Sequence, residues 1–154
     1  MLKKLLAIGL VSLVAGWAYA GDWFDMQNCG ICKCMGDHMD IMGDITWETH
    51  KLPNGVMSVS VIPDEHKATM KEAHDKMMGA VKRFEEGESM DLCGHCESYG
   101  ELLGMGAQKH EIESSIGTIT IMTSDDPEVV KKIHAHTDRS NEEYKKMMTQ
   151  MQNS

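Results

Sequence analysis

The tetrapeptide Cys29-Gly30-Ile31-Cys32 returns as Cys93-Gly94-His95-Cys96, displaced by 64 positions, and each copy opens a stretch with the same pattern. A short Gly/Met-containing segment follows each motif, then two strand-like runs around a turn, an acidic helix start and a long helix carrying a histidine. Gly55 matches Gly117, Val59 matches Ile121, Asp64 matches Asp126, Ala73 matches Ala135 and His74 matches His136, all at an offset of 62. A repeated unit with two thiols and one imidazole per copy predicts two equivalent soft-ligand sites about a pseudo-twofold axis.

Periodicity supplies the elements of each half. Cys32 to Met42 reads as a helix, Ile45 to Leu52 and Val56 to Ile62 as strands, and Pro53-Asn54-Gly55 as the turn between them. Met57, Val59 and Val61 alternate with Ser58 and Ser60, the pattern of a strand with one buried face, and Ile119 and Ile121 are expected on the same face. Asp64 offers a helix cap, and Met70, Ala73, Met77, Val81 and Phe84 recur at helical spacing. In the second half, Glu97 to Met105 reads as a short helix and His110 to Ser114 and Thr118 to Thr123 as strands. Ser124 or Asp125 can cap a helix with Pro127 in its first turn and Val129, Ile133, Ser140, Tyr144, Met147 and Met151 along one stripe. One half has too small a core to stand alone. The expected fold is therefore α+β: a duplicated α-β-β-α unit, with a four-stranded antiparallel sheet covered by two long helices. The pseudo-repeats run from about 29 to 86 and 93 to 151 within one domain, residues 21 to 154.

Residues 1 to 20 have the anatomy of a secretory signal peptide. Lys3 and Lys4 precede an apolar run from Leu5 to Val14, and Ala18-Tyr19-Ala20 supplies small residues at the cleavage positions before Gly21. The apolar run is shorter than the ~20 residues of a membrane span, so no span is expected after cleavage, and the expected location is the periplasm or the outside of the cell. Removing the two lysines from 15 basic residues leaves 13 against 24 acidic ones, a formal charge of −11. Such a chain repels phosphate backbones, so nucleic acid is not expected as a partner, while cations concentrate near its surface.

Five cysteines, all beyond the leader, carry the chemistry. An oxidising compartment favours disulfides, but five is odd, and cysteines three apart close a loop too small to gain much chain entropy. Such pairs fit metal sites and redox centres better than structural staples. Haem attachment fails, because Lys33 and Glu97 stand where a histidine is required. Both motifs lie at predicted helix starts, where the dipole favours thiolate. No apolar strand precedes either motif, so a thioredoxin frame is not expected.

Histidine placement favours metal over redox cycling. His74 and His136 each lie ~60° from the centre of their helix stripe at ~100° per residue, near enough to point toward the motif loops. Each half then offers two cysteines and one histidine, Cys29/Cys32/His74 and Cys93/Cys96/His136, a set suited to a copper or zinc ion. The alternative is that both are ordinary boundary histidines. Cys34, His38 and Met42 share one face of the first predicted helix and can extend the first site or hold a second ion. Of 15 methionines, 14 lie beyond Met1. Thioethers suit Cu(I), although most of these fall on apolar stripes and read as core filler.

The passage Thr123 to Ile133, Thr-Ser-Asp-Asp-Pro-Glu-Val-Val-Lys-Lys-Ile, together with the Cys/Met-rich composition, resembles uncharacterised bacterial exported proteins. The resemblance implies no reaction and transfers no functional residue. From the residues, the leading expectation is an exported protein that binds a thiophilic transition metal for sequestration, delivery or sensing, with a periplasmic metal-handling or redox protein as partner. The alternatives are a thiol-disulfide protein cycling Cys29/Cys32 and Cys93/Cys96, and a disulfide-stabilised interaction domain. No Ser-His-Asp set or phosphate-binding glycine loop argues for hydrolytic or transfer chemistry.

Overall fold

The computed structural model describes residues 23–153, so the expected leader and its expected cleavage point lie outside the described residues. Both halves run helix, strand, strand, helix. The first contains α1 (Lys33–Gly36), α2 (Met39–Met42), β1 (Thr46–Leu52), β2 (Gly55–Val61) and, after a 3-10 turn at Asp64–His66, α3 (Lys67–Glu85). The second contains α4 (Gly94–Gly104), β3 (Gln108–Ser114), β4 (Gly117–Thr123) and α5 (Pro127–Gln152). The strands form one antiparallel sheet in the order β1-β2-β4-β3. Thr46 pairs with Val61 and Gln108 with Thr123, so the two hairpins have the same register at the offset of 62 read from the sequence. They join along β2 and β4, where Val59 faces Ile119.

Two local expectations need correction. The helix expected from Cys32 to Met42 is two single turns, because His38 leaves helical geometry at φ −125 and Asp37 and His38 separate α1 from α2. Cys34, His38 and Met42 therefore do not line one helical face. At α5 the cap is Asp126, whose carboxylate accepts the Glu128 amide at 2.8 Å, with Pro127 at the first helical position. Ser124 acts one step earlier, its hydroxyl accepting the Asp126 amide at 3.1 Å.

The buried face of the sheet is also the opposite of the one its alternation indicates. Val56 and Met122 pair across β2 and β4 and are buried, packed with Leu102, Ala107, Val129 and Ile133. On that same face Asn141 donates to Thr49 at 2.7 Å and Lys51 pairs with Asp138, which locks α5 over the sheet. Met57, Val59, Ile119 and Ile121 point the other way and stay half-exposed, with Val61 36% and Ile112 49% accessible at the edges. Alternation identifies two faces but not which one the helix takes. Here polar anchors on α5 and the Val56–Met122 pair decide it.

Helix α4 links this core to the second Cys-Gly-x-Cys motif. Its Leu102 is only 2% exposed and sits among Val56, Met122, Val129 and Ile133. Burying that side chain fixes the axis of a helix whose first turn holds Cys93 and Cys96. Leu102→Ala should cost about 2–5 kcal/mol of stability, measurable by urea unfolding, and should loosen the motif it anchors.

Candidate metal centre

Cys29 and Cys32 sit on a turn ahead of α1, and Cys93 is the N-cap of α4. The chain folds locally to aim them inward. Lys33 N–H donates to the Cys29 carbonyl and Glu97 N–H to the Cys93 carbonyl, each at 3.0 Å, so both motifs make the same tight turn. The Cys32 amide then points at the Cys29 sulfur at 3.4 Å, and the Cys96 amide likewise hydrogen-bonds the Cys93 sulfur. The two loops are tied together by Gly30 N–H to the Asp91 carbonyl at 2.8 Å and His95 N–H to the Trp23 carbonyl at 2.9 Å. Side chains at the motif glycines would crowd this approach. A Cβ on Gly30 would meet Met90 at 2.8 Å, and one on Gly94 would meet the Trp23 ring at 3.1 Å.

The result is one group of four sulfurs. All four Sγ atoms lie within 4.8 Å of one another. Cys32 approaches Cys96 to 3.2 Å and Cys93 to 3.7 Å, and Cys29 approaches Cys96 to 3.7 Å. Four sulfurs bound tetrahedrally at ~2.3 Å from a zinc-sized ion stand about 3.8 Å apart. The observed spacings bracket that edge. No sulfur pair is at disulfide distance and all five cysteines are free. Cys29, Cys32 and Cys93 are buried, with Met26, Ile31 and Leu92 packed around them, while Cys96 keeps partial exposure.

Without a cation these thiols share protons. Hydrogen bonds from Cys32 and Cys96 hold the Cys93 thiol far below its ordinary range, helped by the Cys96 and Asp25 amides. The same contacts, with Cys93 first and burial adding to them, push Cys32 up. Cys96 is also raised: the hydrogen bond from Cys32 lowers it, but Cys93 and burial outweigh that. A thiophilic cation binds such a group by displacing the thiol protons. The motif amides aimed at sulfur are the outer hydrogen bonds that such centres use.

The structure thus gathers the two motifs into one place rather than two. Among the described residues this is the one group of three or more His, Cys, Asp or Glu side chains with ligand atoms close enough to share an ion. His74 is exposed on α3, away from that group. Cys34 donates to the Ile31 carbonyl at 3.2 Å, its thiol pushed up by burial, and it lines an open cleft of about 1170 Å³ with Met26, Met39 and Met147. His38, half-buried at the start of α2, is also outside the sulfur group.

His136 comes near the second motif but belongs to a different set. Its Nδ1 shares a 2.9 Å hydrogen bond with Ser98, and its ring lies 4.8 Å from that of His95. Ser140 receives the Trp23 indole N–H at 3.1 Å and shares a 3.2 Å hydrogen bond with His95 Nδ1, while the Arg139 guanidinium covers the Trp23 ring at 4.2 Å. This cluster pins the segment at Trp23 to α4 and α5. Sequence reading missed it, because Trp23 and Ser140 are 117 residues apart and nothing in the local pattern pairs them. The one signal was His95 itself, inside the motif.

Burial, with His95 beside it, lowers His136 from 6.5 to about 4, so the imidazole is neutral at pH 7. The unfolded chain takes up the proton near 6.5 and the folded one only near 4. Stability should therefore fall as pH drops through that window and level off below it. His136→Asn should reduce the loss by roughly 2 kcal/mol, the ring's partial exposure tempering the full linkage. Urea midpoints of both proteins from pH 7 to pH 4 provide the comparison.

No protein-family model, curated protein or solved structure matches the chain.

Proposed function

We propose that this chain is an exported protein that holds one thiophilic transition-metal ion, zinc before copper, between its two Cys-Gly-x-Cys motifs. The observation that carries the reading is the mutual approach of four sulfurs to within 4.8 Å. Four thiolates in a tetrahedral set fill every position around the ion and leave none for water or substrate, the character of a binding or structural centre rather than a catalytic one. Zinc accepts that geometry without preference from its electrons, whereas Cu(I) is satisfied by fewer thiolates. The ion would tie the segment at Trp23 to Met42 onto α4, so binding and folding of that segment are one event. Sequestration follows from burial, and the partly exposed Cys96 is the point at which a periplasmic metal-handling partner would exchange the ion.

Support for export comes from the leader anatomy at residues 1 to 20. No described helix is long and apolar enough to cross a membrane. The test is elemental analysis of protein recovered from the periplasm of an expressing bacterium, alongside a thiol count. One zinc per chain with four protected thiols is the expected result; metal-free protein with five reactive thiols would refute the reading.

A further inference from the structure

Beside the Cys93–Cys96 contact within the second motif, three sulfur–sulfur contacts cross between the motifs: Cys29 with Cys96 and Cys32 with Cys93 at 3.7 Å, and Cys32 with Cys96 at 3.2 Å. The first two use each of the four sulfurs once. We propose that the centre is also a site of thiol-disulfide oxidation, in which a disulfide-bearing oxidant converts it to two disulfides that join the motifs and expels the ion. This rests on the metal reading for the release, but the pairing of the sulfurs follows from the geometry alone.

The stoichiometry is fixed. A sulfur of the centre attacks one sulfur of the oxidant, breaking its S–S bond and releasing one small thiol. A second protein sulfur displaces the other small thiol and closes the protein disulfide. Two such rounds remove four electrons from four thiolates and reduce two oxidant disulfides to four thiols, which take up four protons as a divalent ion leaves. Entry is at Cys96, the one member of the group that is not buried.

Pairing across the motifs is favoured over pairing within them for two reasons. A bond within Cys29/Cys32 or Cys93/Cys96 closes a four-residue loop, whereas Cys32 and Cys93 are 61 residues apart and Cys29 and Cys96 are 67 apart, so the cross-links constrain the unfolded chain far more. The crossed bonds also keep the Gly30–Asp91 and His95–Trp23 backbone contacts that the ion would otherwise support. Oxidation therefore empties the site without undocking the loops. That distinguishes this centre from a dithiol that cycles within one Cys-Gly-x-Cys motif.

The experiment uses Cys34→Ser protein, which removes the fifth thiol, loaded with zinc and treated with oxidised glutathione. Released zinc is read with a chromogenic chelator, and the product is digested with trypsin without reduction. Cleavage after Lys33 and Arg83 separates the two motifs, so cross-linked disulfides hold those peptides together. The expected result is two glutathione disulfides consumed per zinc released and one joined peptide pair. Separate peptides, each lighter by two hydrogens, would overturn the proposal, as would zinc retained with its thiols unoxidised. Should the reduced protein take up no zinc, the metal reading fails alone, because the peptide map still reads the pairing.

Discussion

Changing Cys93 and Cys96 together to serine should weaken metal binding by orders of magnitude, not halve the number of ions bound. With one centre built from both motifs, losing two of four thiolates leaves Cys29 and Cys32 without a geometry that closes around an ion. Separate sites in each half would instead leave one ion behind. Structural zinc contributes about 10–16 kcal/mol of apparent binding free energy in small four-ligand peptides, and most of it depends on a complete ligand set. The double variant should therefore bind zinc at least ~1,000-fold more weakly, the equivalent of about 4 kcal/mol. Isothermal titration against a competing chelator measures it. Retention of half the wild-type zinc at unchanged affinity is the outcome that restores the two-site description.

Stripping the ion should have the second largest effect, and it should be uneven across the molecule. A ligand present at 1,000 times its dissociation constant stabilises by about 4 kcal/mol, which for a domain of this size corresponds to a melting shift on the order of 10 °C. The loss should concentrate at the centre, where Cys29, Cys32 and Cys93 with Met26, Ile31 and Leu92 form a cluster separate from the Val56–Leu102–Ile133 core. Trp23 reports on it. It is 7% exposed and bonded to Ser140, whereas Trp47 is already 53% exposed, so a chelator-induced red shift in fluorescence reads the segment at Trp23 coming loose. Far-UV circular dichroism should change little, since α5 and the sheet draw on the other core. A chelated protein with unchanged melting and emission would mean that nothing in this fold depends on the ion.

Much of this architecture was legible from sequence because its elements are locally determined. Strand boundaries fall within about two residues of those read from alternation and turn residues, the usual latitude at element ends. The helix stripes place Met70 and Ala73 on the buried side of α3 and Val129 and Ile133 on that of α5. The common register of the hairpins was likewise visible in the offset of Gly55 and Gly117. What local pattern could not supply was how the two halves close on each other. Cys29 and Cys96 are 67 residues apart, and each motif read alone looks like half of its own site. Matching each motif with the histidine of its own half followed from the repeat, yet His74 turns to solvent and His136 is engaged by Ser98. The exposed apolar face has the same origin: the Val59–Ile119 side carries the stronger alternation, but Asn141 and Asp138 bind α5 to the other side.

The most direct measurement is the X-ray absorption spectrum of the zinc-loaded protein, taken with its metal content. A single centre built from Cys29, Cys32, Cys93 and Cys96 predicts one zinc per chain with a shell of four sulfurs at ~2.3 Å and no nitrogen. Two zinc ions per chain, or a shell containing imidazole nitrogen at ~2.0–2.1 Å, would contradict it.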